Sequence, residues 1–154
     1  MTARPKGAGA PLAAPALRAL LREVPLFSGC STREIGRVAA VVSEARFPSG
    51  TVLTREGRAG SLAFLMVEGS VAVTTAGLVI ATLGPGDLFG ELSLIDGRPR
   101  SATVQAVSDV HVLEIDGPGF RRILRGAPEL VRSLLGTLAG RIRAMDLEGG
   151  PRQP

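Results

Sequence analysis

The residues best equipped for chemistry fall in one stretch, 84–106, which reads Gly-Pro-Gly-Asp-Leu-Phe-Gly-Glu-Leu-Ser-Leu-Ile-Asp-Gly-Arg-Pro-Arg-Ser-Ala-Thr-Val-Gln-Ala. Gly84-Pro85-Gly86 predicts a turn, Leu88-Phe89 a short strand, and Gly90 the opening of a brief helical turn over Glu91–Ile95. Without a Cβ, Gly90 lets a ligand approach the main chain closely. The free amides that begin such a turn point outward and favour an anion. Beyond the loop Asp96–Pro99, Arg100, Ser101 and Ala102 lead into a strand. A guanidinium turned inward there is a charge in apolar surroundings, which costs several kcal/mol unless something anionic arrives.

Two arrangements of these groups are open. Glu91 and Arg100 can simply neutralise each other. Alternatively, Arg100, the Ser101 hydroxyl and the turn amides serve phosphate oxygens, leaving Glu91 to accept hydrogen bonds from sugar hydroxyls. Charge-assisted hydrogen bonds contribute roughly 1.5–3 kcal/mol each. Together they reach about −8 kcal/mol, which is micromolar affinity.

Other chemistry is thin. The sole histidine, His111, cannot build a multi-histidine metal site or an HExxH protease, and no nucleophile, base and orienting group can be assembled around it. A metal-dependent cupin enzyme would need several histidines, so no enzyme, metal or catalytic cofactor is expected. His111, between Val110 and Val112, reads as a structural or surface strand residue. Cys30 precedes a helix start, where a thiol pKa can fall, but it also reads as an idle packed residue. As the single cysteine it excludes a disulfide within the chain and fits a reducing, cytoplasmic compartment.

The elements that must position the stretch are legible in texture. With 154 residues, 45% hydrophobic and 21% charged, the chain has the size and composition of one globular domain. Its longest apolar runs, Val38–Val42 and Leu62–Val67, are far short of the ~20 residues that span a bilayer, so no membrane partner is expected. Residues 1–16, rich in Ala, Pro and Gly, read as a flexible leader whose Pro11 and Pro15 interrupt any signal-peptide core. Leu17–Leu26 predicts a short helix. Ser31-Thr32-Arg33-Glu34 is a capping box, opening a helix with Ile35, Val38, Ala39 and Val42 on one face.

From Glu44 to Ile115, short stretches rich in Val, Leu, Ala and Thr alternate with glycine turns. The stretches are Thr51–Thr54, Leu62–Glu68, Ser70–Thr75, Leu78–Leu83, Ala102–Val107 and Val110–Ile115. They predict an antiparallel β-barrel of the double-stranded β-helix or jelly-roll kind. After Asp116 the period turns helical again, over Pro118–Arg125 and Ala127–Leu147, with Pro128 opening the longer helix. There Val131, Leu135, Leu138, Ile142 and Met145 form a heptad seam, widened by Leu130 and Leu134. The fold expected is mainly β, with an N-terminal helix and two C-terminal helices.

Charge is segregated. Residues 1–22 carry four basic groups and no acid, residues 23–116 seven basic and eleven acidic, and residues 117–154 seven arginines against three acids. The net +4 therefore sits on the termini and not on one face built to grip nucleic acid.

Phe89-Gly90-Glu91-Leu92-Ser93-Leu94 and Arg98-Pro99-Arg100-Ser101-Ala102-Thr103-Val104 resemble the phosphate-binding cassette of cyclic nucleotide-binding domains. That family includes the ligand domains of the bacterial catabolite activator and of cyclic-AMP-dependent protein kinase regulatory subunits. Gly69-Ser70-Val71-Ala72-Val73 and Val24-Pro25-Leu26-Phe27 are similar to it as well. The likeness runs from about Leu20 to Met145, placing the domain at 17–147 and a disordered tail at 148–154.

The resemblance implies that Arg100 pairs with the cyclic phosphate, aided by Ser101 and the amides of Ala102 and Leu92. Glu91 then accepts from the ribose 2′-hydroxyl, and Gly90 lets the sugar-phosphate lie against the main chain. Val73 and Leu83 become apolar walls for the base, although ordinary core serves them equally well. Arg141 falls where the family has an arginine near the ribose. Met145 and Asp146 fall where the bacterial activator touches adenine through a Thr-Ser pair. Met145 either lids the base or ends the seam. Asp146 either accepts from an exocyclic amine or stands in solvent.

Cyclic AMP is thus the ligand expected, with cyclic GMP the alternative. The nine residues after Met145 cannot form the recognition helix of a DNA-binding relative. A stand-alone regulatory module is therefore expected, reporting through its C-terminal helices to an unidentified protein effector, and homodimeric through the long helix. The alternative is a structural, dimerising protein with a vestigial pocket.

Overall fold

The computed structural model describes residues 11–148, with side chains to Met145. Most of the expected leader, the tail from Gly149 and the Asp146 side chain lie outside the described residues. Helix α1 spans Ala14–Glu23, a 3-10 turn Pro25–Phe27, and α2 Thr32–Ala39. Pro15, read from sequence as a breaker, sits in the first turn of α1, where its missing N–H has no intrahelical partner to lose. The capping box of α2 forms as expected, with the Glu34 amide donating to Ser31 Oγ at 3.1 Å and the Ser31 amide to Glu34 Oε1 at 3.2 Å.

Val42 does not extend α2. It opens a strand, β1 (Val42–Phe47), which the helical spacing of Val38 and Val42 concealed. The remaining strands are β2 (Val52–Thr54), β3 (Leu62–Glu68), β4 (Val71–Thr75), β5 (Leu78–Leu83), β6 (Leu88–Phe89), β7 (Thr103–Ala106) and β8 (Val110–Asp116). A short helix, α3 (Glu91–Asp96), follows β6, and α4 (Gly117–Gly126) and α5 (Pro128–Glu148) follow β8.

The strands form two antiparallel four-stranded sheets, ordered β1-β8-β3-β6 and β2-β7-β4-β5. The jelly-roll-like arrangement matches the sequence expectation, but the sheets do not close into a barrel. Closure would need pairing at every edge, whereas β5 bonds only to β4 and β6 only to β3.

Strand alternation builds a three-layer molecule. In β3, Phe64 and Met66 face the second sheet, with Phe47, Leu53, Val71, Val104 and Val112 around them. Ala63 and Leu65 face the opposite way, onto Leu21, Phe27, Ile35, Phe120, Ile123, Leu130 and Leu134 of the helices. The first sheet is therefore buried on both faces. It forms a rigid floor for whatever its β3 and β6 ends present.

Candidate functional site

The site is built where β3 begins, β6 ends and the 97–102 loop returns. Phe89 anchors it, its ring stacked on Phe64 with centroids 4.9 Å apart and planes 18° from parallel. The next residue, Gly90, is left-handed at φ +83°. A Cβ there would stand 2.8 Å from the Leu62 carbonyl oxygen and 2.9 Å from Arg100 Nη1. Glycine is thus required twice over, by backbone conformation and by space.

Arg100 turns inward and is only 8% exposed. Its Nη1 donates to the Gly90 carbonyl at 2.8 Å and its Nη2 to the Leu62 carbonyl at 2.6 Å. It makes no ion pair with any described carboxylate. Burial pulls its pKa down, while the nearby charge of Glu91 pulls it back up. A guanidinium has five N–H donors, so three remain uncommitted.

Glu91 is 2% exposed. Its partner is Arg141, which reaches down from α5 and places Nη1 2.7 Å from Glu91 Oε1. Arg141 Nη2 also donates to the Leu88 carbonyl. The mutual pairing of Glu91 and Arg100 left open by the sequence is therefore not what forms. Desolvation raises the Glu91 pKa, and the Arg141 charge opposes that rise.

The other expected residues lie on β4, β5, α3 and α5 and in the loop that follows Arg100. Val73 and Leu83 are half-buried at the rim of the inter-sheet core, in neighbouring strands where Val71 pairs with Leu83 and Val73 with Ala81. Leu92 is exposed on α3. Ser101 is exposed, and its carbonyl accepts the Thr75 hydroxyl at 3.4 Å. Ala102 is half-buried, its carbonyl accepting the Thr54 hydroxyl at 3.0 Å. Met145 is exposed on α5, one turn beyond Arg141.

Two contributors escaped the sequence reading. A Cβ on Gly60 would coincide with Nε and Cζ of Arg100, so this glycine makes room for the guanidinium. Leu62 supplies only a carbonyl. Neither carries a functional side chain, and only the fold brings them to Arg100. Elsewhere, His111 is buried with Nε2 2.8 Å from Glu44 Oε1. Of the two readings, structural or surface, it takes the structural one. Burial first, then the charges of Glu34 and Glu129, raises the Cys30 pKa, which leaves the thiol unactivated.

The two-sheet sandwich buries an arginine that makes no ion pair with a described carboxylate, and comparison with known proteins places the fold. Residues 44–126 match the cyclic nucleotide-binding domain family model, and the chain belongs to that family. It is 38% identical over 111 residues to a cyclic nucleotide-gated potassium channel of Mesorhizobium japonicum, covering 72% of this chain and 31% of the channel. It is 33% identical over 129 residues to the cyclic AMP receptor protein of Thermus thermophilus, covering 80% of this chain and 60% of the relative.

Among solved structures, the Thermus thermophilus catabolite activator protein superposes with a TM-score of 0.73 at 32% identity, over 80% of this chain and 61% of that one. Cyclic-AMP-bound PfPKA-R superposes with a TM-score of 0.78 at 24% identity, over 88% and 47%, and supports the fold alone. The chain spans about a third of the length of the channel relatives. No described helix is long and apolar enough to cross a membrane.

Proposed function

We propose that this chain is a cyclic nucleotide sensor that prefers cyclic AMP and passes its state to a partner through α4 and α5. The observation that carries the reading is Arg100, a buried cation held by two carbonyl dipoles and without a carboxylate partner among the described residues. A ring phosphate brings the missing charge to the three free donors, assisted by Ser101 and the amides of Leu92 and Ala102. Glu91 takes the ribose 2′-hydroxyl, Gly90 admits the sugar-phosphate edge, and Val73 and Leu83 line the base. The kinship to proteins named for cyclic AMP supports adenine over guanine.

Coupling follows from Arg141. It bonds the carboxylate that the sugar needs, so ligand occupancy and the position of α5 bias one another. The shift equals the difference in ligand affinity between the two positions of α5. The seam residues Leu135, Ile142 and Met145 are exposed while Leu130 and Leu134 are buried against the chain's own core, which supports a homodimer formed along α5. The module performs no catalysis of its own in this reading.

Calorimetry with cyclic AMP and cyclic GMP tests it. Micromolar binding of cyclic AMP, weaker binding of cyclic GMP, and a loss of about 3 kcal/mol (roughly a hundredfold) in Arg100→Leu are expected. Arg100→Lys, which keeps the charge but not the fork, should fall between. The second reading, a dimerising scaffold with a disused pocket, draws on Arg141 already occupying Glu91. Silence with both nucleotides would establish it.

A further inference from the structure

Six of the arginines that the nucleotide site does not use fall in pairs. Arg18 and Arg22 lie four apart on α1, Arg33 and Arg37 on α2, and Arg121 and Arg125 on α4, and all six are exposed. None forms an ion pair with a described carboxylate. Like charges four apart on a helix repel and destabilise it. Arg22, Arg37 and Arg125 sit in last turns, where the helix dipole repays a cation. That account fails for the others. Arg33 stands in the first turn of α2, at the wrong end of the dipole, and Arg18 and Arg121 lie away from either end.

The three helices adjoin. α1 packs on α2 and α2 on α4. Arg18 Nη2 lies 3.8 Å from where a Gly36 Cβ would be, and Arg37 Nη1 donates to the Gly126 carbonyl at the end of α4. The acids of this region are largely committed to helix caps. Glu34 serves Ser31 and the Glu129 amide, and Asp116 accepts from the Gly119 amide, leaving Glu23 as the exposed acid of α1.

We infer that the α1–α2–α4 face is a docking surface for an acidic helical segment of a partner protein, whose carboxylates, spaced four residues apart, meet the arginine pairs. Four residues rise about 6 Å along a helix, so a row of partner carboxylates matches a row of guanidinium groups in pitch. The planar fork of arginine suits bidentate carboxylate pairing. Single-stranded nucleic acid fits less well, because all five phenylalanines are buried and the chain has no tryptophan or tyrosine to stack on bases. A bilayer fits less well too, because α1, α2 and α4 expose no large apolar side chain to insert.

The test uses the full chain and a fluorescent helical peptide with glutamate pairs four apart on one face. A second peptide of identical composition carries the same glutamates scattered around the helix. Duplex DNA and phosphatidylserine vesicles complete the panel, all at physiological salt. The paired peptide should bind best, and Arg33→Glu with Arg121→Glu should weaken it by about tenfold. The control Arg55→Glu with Arg58→Glu carries the same charge change and should leave binding nearly intact. Neither the Arg33 nor the Arg121 side chain makes a hydrogen bond among the described residues, and a thermal melt checks that the variant folds. Equal binding of the two peptides, equal loss in the control variant, or tighter binding of duplex or vesicles would each overturn the proposal.

Discussion

Arg100 and Glu91 are opposite charges in one buried site, yet each is stabilised by something else. Two carbonyls hold the guanidinium and Arg141 holds the carboxylate. The cradle is therefore as decisive as the charge. Gly60→Ala forces its new methyl into the space of Arg100 Nε and Cζ, so the guanidinium must rotate away from Leu62 and Gly90. The expected outcome is a loss of cyclic AMP affinity of about tenfold or more, close to that of Arg100→Lys, read by calorimetry. Unchanged affinity would mean that the phosphate does not bind at Arg100 as oriented here. Sequence reasoning reached Arg100, Glu91 and Gly90 because their side chains, or the lack of one, advertise chemistry. Gly60 and Leu62 act through absence and through backbone, forty and thirty-eight positions from Arg100 in the chain, and no local pattern marks them.

The same scale sets the pH response. Glu91 has its pKa raised, chiefly by desolvation. A raised acid holds its proton more tightly in the folded chain than in the unfolded one. Glu91 therefore favours folding most at low pH, and its contribution declines as pH rises from the unfolded value, about 4.3, through the folded one. In the proposed site ligand affinity should run the other way, since the carboxylate that would accept from a ribose hydroxyl is also the form that pairs with Arg141. Cyclic AMP binding should weaken on acidification while still above the ordinary glutamate range. In Glu91→Gln the pH dependence over that window should flatten, at a lower overall affinity.

At the level of elements, α2 holds the junction between α4 and α5. Glu34 caps its own helix with Ser31, and its Oε2 accepts from the Glu129 amide in the first turn of α5 at 3.2 Å. Arg37, one turn on, donates to the Gly126 carbonyl at the end of α4. One short helix thus contacts both sides of the junction at Ala127. Ser31→Ala removes half of the capping box and should cost about 1 kcal/mol in chemical denaturation. Glu34→Ala severs the α2–α5 link as well, so it should also alter cyclic AMP affinity, which Ser31→Ala should largely spare. The pKa of Glu34 is lowered, first by the Ser31 amide. Its contribution to stability is present above the unfolded glutamate value and is lost only as pH falls through the lower folded value. The box was plain in the sequence because its four residues are contiguous. Its reach to Glu129, ninety-five positions away, was not. The missed strand β1 has a related cause. Val38 and Val42 satisfy a helical period and the first position of a strand equally, and tertiary pairing with β8 decides between them.

Among the described residues, large apolar side chains stand exposed on α5, whose inner face is already used, and on β5, which is exposed at every position but Leu83. Helix α5 buries Leu130 and Leu134 and exposes Leu135, Ile142 and Met145, at 62, 60 and 59%. Strand β5 exposes Leu78, Val79 and Ile80, and residues 70–86 carry no charge to protect that edge. A heptad seam on a long helix favours a parallel or antiparallel copy of itself, because each exposed residue then inserts between residues of the same spacing. Gly136 and Gly140, with nothing near their would-be Cβ atoms, let two such helices approach closely. Sedimentation of the full chain should therefore give a dimer at micromolar concentration, and Leu135→Glu with Ile142→Glu should give a monomer of unchanged fold. If Arg141 couples α5 to the pocket, cyclic AMP and dimerisation must affect each other equally. The monomeric variant should then show altered cyclic AMP affinity, and ligand should shift the wild-type dimer constant by the same factor. A dimer that survives both substitutions would move the interface to β5, where Ile80→Lys becomes the variant expected to dissolve it.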